Sequence, residues 1–298
     1  MLKSPNKFGS WGKLVLLAII WGSSFILMKK GMEASDGTPL YSWSQVAALR
    51  VFIASFVLLP FAIRYRSLLA DKWVYFLIVG LVGNTIPAFL FTKAETFISS
   101  SLAGMLNSLT PLFTVVIGVL FFSLKIQRIN VVGILIAMVG AIGLILAKDS
   151  EVNGDVVYSL LIVVATMCYG LSVNVIKSKL QGVNTFAITS IALSMVGLPC
   201  LIYLITTDVV EVATEHKEGF FGLGYISVLA IVGTAMALVI FNDLVAKTNP
   251  VFASTVTYLI PVVAIVLGLI AGEKLENEYL LWMGIVLAGV YLVNKKKR

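Results

Sequence analysis

The segment VGNTIPAFLF (residues 82–91) returns 150 positions later as VGTAMALVIF (residues 232–241), and this pair decides the fold. Val82-Gly83 falls on Val232-Gly233 and Phe91 on Phe241. At the same shift, with no gap, Ala103 falls on Ala253, Leu109 on Leu259, Pro111 on Pro261 and Gly118 on Gly268. Working outward, Trp21-Gly22, Ser24 and Lys29 match Tyr169-Gly170, Ser172 and Lys177 at a shift of 148. Pro60 matches Pro199 at 139, and Gly133 matches Gly284 at 151. Apolar helices share residues by chance, so one match means little. Prolines and glycines repeating in the same order mean an internal duplication.

The duplicated unit is a set of membrane helices. A spanning helix needs about 20 apolar residues, or roughly 17 to 25. Charge-free runs cover 14–28, 73–92, 96–124, 129–147 and 156–176, then 180–207, 219–242, 248–272 and 279–294. A further run, 41–63, is broken once by Arg50. That makes ten, five in each half; the two short runs at the ends extend by flanking lysines that snorkel outward. Composition agrees: 59% of the 298 residues are hydrophobic and only 12% charged, against about 25% charged in a globular chain. Five is odd, so the second half enters the membrane upside down relative to the first. The expected architecture is an all-α membrane protein of ten transmembrane helices in two inverted five-helix repeats.

Lys3, Lys7 and Lys13 ahead of an apolar run would also suit a cleaved signal peptide. No convincing small-x-small cleavage site follows, however, and the run continues through Trp21-Gly22-Ser23-Ser24-Phe25 to Lys29 and Lys30. Orientation follows from the basic residues. Alternate loops starting with the N-terminus hold Lys3, Lys7, Lys13; Arg64, Arg66, Lys72; Lys125, Arg128; Lys177, Lys179; Lys247; and the tail Lys295, Lys296, Lys297, Arg298. The opposite loops hold Lys29, Lys30, Lys93, Lys148, Lys217 and Lys274. Fifteen basic residues stand against six, and thirteen of the fifteen acids lie on the second side. Both termini are expected in the cytoplasm. The net charge of +7 therefore reflects topology and contact with anionic lipid rather than nucleic-acid binding.

Three stretches carry a resemblance to a known family: Trp21-Gly22-Ser23-Ser24-Phe25, Ala47-Ala48-Leu49-Arg50, and Gly83-Asn84-Thr85 with Leu106-Asn107-Ser108-Leu109-Thr110-Pro111-Leu112-Phe113. Together they resemble the EamA family of the drug/metabolite transporter superfamily. The resemblance implies two five-helix repeats, 12–147 and 154–294. It also implies a bacterial inner-membrane exporter or exchanger of amino acids or related compounds. It is strongly specific for fold and only weakly so for cargo.

The candidate site is assembled from residues at matching depths. Repeat register places Asn84 with Thr234, Asn107 with Thr257, and Ser108 with Tyr258. Such side chains either tie helices together, at about 0.6 kcal/mol each, or face a shared cavity; the set as a whole reads as a cavity wall. Trp21 and Tyr169 are repeat mates at mid-helix, away from the usual interfacial belt, with Ser24 and Asn174 about a turn further on. Arg50 is the one intramembrane charge, where insertion costs roughly 2.5–3.5 kcal/mol. It serves either as counter-charge to a substrate carboxylate or as a structural residue on helix-end carbonyls or a loop acid such as Glu95. Pro87, Pro111 and Pro261 are expected to kink their helices. Gly133-x3-Ala137 and Gly268-x3-Gly272 have the spacing that lets helices approach closely.

Other classes lack their residues. There is no GxxxxGK[ST] loop and no segment long enough for a nucleotide-binding domain. No Ser/His/Asp, Cys/His or HExxH arrangement occurs; Cys168 and Cys200 read as packing residues and His216 as a solvated loop residue. A lipid-modifying enzyme would need Asp71 and Asp243 brought together. A non-transporting receptor or regulatory protein would need a larger loop than the one around Asp208–Glu218. The expected function is therefore secondary transport of a small molecule by alternating access, with no enzyme activity, metal or cofactor. Small-molecule substrate and lipid are the expected partners; homodimerisation stays open.

Overall fold

A computed structural model describes residues 7–146, 155–247, 253, 256–273 and 277–294. Lys3, Lys148, Lys274, the tail 295–298 and the inner repeat ends at 147 and 154 lie outside the described residues. Eight helices are long and apolar enough to cross a membrane: α1 (Ser10–Met32), α2 (Trp43–Arg64), α3 (Arg66–Ala94), α4 (Ser100–Phe122), α5 (Arg128–Leu146), α6 (Val156–Lys179), α7 (Thr185–Ile205) and α8 (Gly219–Lys247). Two shorter apolar helices follow, α9 (Val256–Ile270) and α10 (Asn277–Val293). A short helix, Val209–Glu215, joins α7 to α8. The protein is an all-α membrane protein of ten helices in two five-helix repeats.

Local chemistry sets the helix starts. Ser42 and Gln45 form a reciprocal capping box on α2, the Ser99 side chain accepts from Leu102 N on α4, and that of Asn184 accepts from Phe186 N on α7. Each satisfies an end N–H that has no partner inside its helix. The outer surfaces are apolar: Leu135, Met138, Val139 and Ile142 on α5 are all exposed, as lipid requires of a spanning helix.

Repeat mates are α1/α6, α2/α7, α3/α8, α4/α9 and α5/α10, and the most extensive packing joins one half to the other. α1 lies on α9 as α6 lies on α4, α1 on α8 as α6 on α3, and α2 on α8 as α7 on α3. On the pseudo-two-fold axis, α2 meets α7 and α5 meets α10. The small residues at the α5–α10 seam explain its closeness: a Cβ on Gly133 would come within 2.5 Å of Val293 N, and one on Gly289 within 2.3 Å of Ala137 N.

Side-chain bonds identify the two ends of the bundle. On the side where α1 begins, here the N-side, Lys13 pairs with Asp243, which also pairs with Lys247 at 2.8 Å. Asn130 Nδ2 there donates to the carbonyls of Leu292 and Val293. On the far side, where α1 ends, Lys29 pairs with Glu273 at 3.2 Å. Gln45 donates to Asp208 at 2.6 Å, Tyr41 OH to Gly219 O at 3.0 Å and Ser35 to Glu218.

Candidate functional site

Two helices break their regular winding at the same place in each repeat. α3 has a π-helical turn at Leu81–Thr85 and α8 has one at Ile231–Met236. In both, a polar side chain returns to the carbonyl five residues back. Asn84 Nδ2 donates to Val79 O at 3.0 Å and Thr85 Oγ1 to Gly80 O at 3.1 Å, while Thr234 Oγ1 donates to Leu229 O at 3.2 Å. Asn84 and Thr234 are repeat mates, as are Val79 and Leu229. A π-turn widens the helix and redirects the residues beyond it, which is why such turns recur at functional sites.

The widened turns flank a central cavity of about 140 Å³. Its wall draws on both halves. Trp21 packs on Phe241 with ring centroids 5.2 Å apart, and their repeat mates Tyr169 and Phe91 stack at 6.1 Å. The Trp21 indole N–H donates to Gly233 O at 3.0 Å, so the π-turn of α8 orients that ring. Ser24 and Ser172, also mates, stand against Gly233 and Gly83; a Cβ there would lie 3.1 Å and 2.2 Å from the respective hydroxyl oxygens. Asn107 closes the first helical piece of α4, where Thr110 Oγ1 donates to its carbonyl at 2.8 Å.

Of the residues singled out from sequence, Trp21, Ser24, Asn84, Asn107, Tyr169, Thr234, Thr257 and Arg50 line this cavity. Asn174 and Tyr258 do not. Asn174 donates to Thr114 O and Gly170 O, both at 2.8 Å, tying α6 to α4. Tyr258 OH donates to Val290 O at 3.1 Å, tying α9 to α10. Both lie at the expected depth but point at a neighbouring helix. Ser108, mate of Tyr258, is buried and donates to Met105 O.

Arg50 is the one charged residue in the described wall. Its Nε donates to Thr234 Oγ1 at 2.7 Å, and one terminal nitrogen lies 3.7 Å from Met28 Sδ. Helix-end carbonyls are therefore not its partners; a threonine on the π-turn is. Pro87 and Pro111 lie just after the π-turn and just after Asn107 respectively, where the regular winding of each helix is already interrupted. Pro261 sits inside α9.

The cavity is offset along the bundle axis. At one end stands Arg50, roughly 10 Å from the far-side end of α2 at 1.5 Å per residue. At the other, Thr189 and Asn242 are joined by a 2.9 Å hydrogen bond about 6 Å from the N-side start of α7.

On the far side Glu273 is heavily engaged. It accepts from Ser100 N at 2.9 Å, Ser101 N at 3.1 Å and Ser101 Oγ at 2.9 Å, besides its pair with Lys29. Burial alone pushes its carboxyl up, but these donors at the start of α4 and the Lys29 charge outweigh burial and hold it below the usual glutamate range.

The profile of the EamA-like transporter family matches residues 11–146 and again 157–295. The chain belongs to the EamA-like transporter family. This EamA-like protein is 27% identical to the uncharacterized inner membrane transporter YedA of Escherichia coli strain K12, over 96% of this chain and 91% of that one. It is 26% identical to an uncharacterized transporter of Archaeoglobus fulgidus, over 96% and 99%. It is 24% identical to a probable amino-acid metabolite efflux pump of Salmonella typhimurium, over 93% and 92%. One crystal structure, 16% identical, superposes with a TM-score of 0.62 over 95% of this chain and 96% of the other, which shows a shared fold. The EamA-like chain is a membrane transporter.

Several wall residues of this EamA-like transporter were not picked out from sequence. Phe91 and Phe241 are matched by the 150-residue repeat, and their pairing with Tyr169 and Trp21 follows only once each half is packed on the other. Thr189 carried one signal, its match to Arg50 at the 139-residue shift, whereas Asn242 lies beside Asp243 near a helix end and nothing in the sequence tied the two together.

Proposed function

We propose that the chain is a secondary transporter that exports or exchanges a small amino-acid-like metabolite by alternating access. One observation supports this reading above the others: repeat mates from both halves line one cavity, among them the aromatic pairs Trp21–Phe241 and Tyr169–Phe91. Two similar halves have two nearly equivalent packings, each closing one end. The 140 Å³ volume is smaller than the roughly 300–1,000 Å³ of drug-sized pockets and suits a small metabolite. The aromatic wall suits an apolar side chain, and Arg50 suits a carboxylate. The name of the Salmonella relative, "probable amino-acid metabolite efflux pump", supports the same substrate class. The charge asymmetry of the loops supports cytoplasmic termini, and the name of the Escherichia coli relative, an inner membrane transporter, supports a bacterial inner-membrane location.

The test is counterflow in proteoliposomes. Vesicles preloaded with single unlabelled amino acids are expected to accumulate the matching radiolabelled compound saturably for at least one of them. Arg50→Gln is expected to cut that flux about tenfold or more, matching the ~1.5–3 kcal/mol of a hydrogen bond to a charged group. Absence of counterflow for every amino acid, derivative and nucleobase tried overturns the reading.

A further inference from the structure

Glu95 follows directly on α3, on the far side, and is 3% exposed. Both carboxyl oxygens are buried without a hydrogen-bond partner. A carboxylate in that position would lack both water and donors, an arrangement that disfavours charge strongly. Its neighbour Glu273, by contrast, has three hydrogen bonds and an ion pair. The two acids therefore have opposite environments within one cluster.

The charged groups acting on Glu95 come from three other elements: Lys29 on α1, Arg50 on α2 and Glu273 after α9. Lys93, on its own helix, sits over the Trp43 ring instead, 4.7 Å from its centroid. Lys29 is already paired to Glu273, and Arg50 leans on Thr234 and Met28. Neither cation bonds Glu95. Burial pushes the Glu95 carboxyl well above the usual range; Lys29 and Arg50 oppose that, and Glu273 adds to it.

With the far side closed by Lys29–Glu273, Gln45–Asp208 and Tyr41–Gly219, Glu95 is sealed from water; opening that side wets it. We infer that Glu95 is a proton-binding site linked to the far-side gate: the closed arrangement holds a proton on Glu95, and the open one releases it. The inference rests on the alternating-access reading. The balance is one proton: the Glu95 O–H breaks, the electron pair stays on the carboxylate, and water on the far side takes the proton. An ionised Glu95 then competes for Arg50 with a carboxylate in the cavity, so proton release favours substrate release on the same side. By linkage, one such proton changes the open-to-closed ratio by up to about tenfold per pH unit, with alkaline pH favouring open.

The test uses the full chain with Cys168→Ala and Cys200→Ala, spin-labelled at Lys30→Cys and Ala271→Cys, positions flanking the Lys29–Glu273 pair. Pulsed-EPR distances are expected to show a longer population growing as pH rises, and Glu95→Gln is expected to keep the short distance at every pH. A second readout starts from the parent protein: infrared spectra of the purified protein are expected to contain a protonated-carboxyl band at neutral pH. That band is expected to persist in Glu273→Gln and to vanish in Glu95→Gln. A pH response that survives Glu95→Gln, no pH response in the parent protein, or no such band overturns the inference. Amino-acid counterflow with no pH response of the distances would leave transport standing and remove the proton site. Distances that shift with pH while counterflow is absent throughout would do the reverse.

Discussion

The two π-turns, in α3 and in α8, start at the same repeat position and share one return bond, from Asn84 and from its mate Thr234, but have different surroundings. In α3 the turn is followed by Pro87; its counterpart in α8 is Ala237, and the turn forms there all the same. Proline is thus not what opens these helices. Shared by both are a glycine pressed against a serine of the other half, Gly83 on Ser172 and Gly233 on Ser24, and a side chain reaching back five residues. The second difference concerns charge. Thr234 holds Arg50, whereas its mate Asn84 has no arginine to hold, because the residue matching Arg50 at the 139-residue shift is Thr189. The duplication keeps the backbone device and lets the polar contacts diverge, so one end of the cavity is cationic and the other neutral.

That comparison can be broken most forcefully at Gly80. A Cβ there would sit 2.3 Å from Ala192 O, a backbone atom that cannot swing aside, while the second half carries Ala230 at the equivalent position. Gly80→Leu is expected to destabilise by about 3 kcal/mol, the upper part of the overpacking range; Ala230→Gly is expected to lose only about 0.5–1 kcal/mol. Thermal unfolding in detergent compares them, and equal losses would mean that the halves do not differ here. Next in size, Thr234→Val removes a partner of the half-buried Arg50 guanidinium and is expected to lose about 2 kcal/mol, against about 1 kcal/mol for Asn84→Leu, where the lost bond is neutral. If Asn84→Leu proved the more damaging, the asymmetry drawn around Arg50 would be wrong. The smallest effect is expected for Pro87→Ala, within about 1 kcal/mol and with cavity-facing labels at Asn84 unmoved. A large shift would restore proline as the cause of the turn in α3.

Much of the architecture was legible before any coordinates, since lipid imposes a long apolar run on every span and the repeat imposes order on the runs. The depth of polar residues was legible for the same reason: Asn84, Asn107, Thr234 and Thr257 share a register with their mates. Direction around the helix was not. Asn174 and Tyr258 have the right depth, yet each finds a carbonyl on an adjacent helix, and nothing in hydropathy distinguishes that from facing the cavity. The π-turns were invisible because they depend on an i−5 bond and on a serine of the other half, 89 residues from Gly83 in one case and 209 from Gly233 in the other. Glu95 read as a loop acid; only the closing of the far side over it makes it dry.

The seam between α5 and α10 has a consequence for how the chain is made. The fifth helix to emerge finds its broad partner only in the last, and the first helix likewise lies along the ninth. Neither half can finish its packing while the ribosome is still producing the other. During synthesis the early helices must therefore wait in lipid with glycine faces uncovered, and final assembly comes as a late, concerted step. Contacts so distant in sequence make that step slow relative to helix insertion.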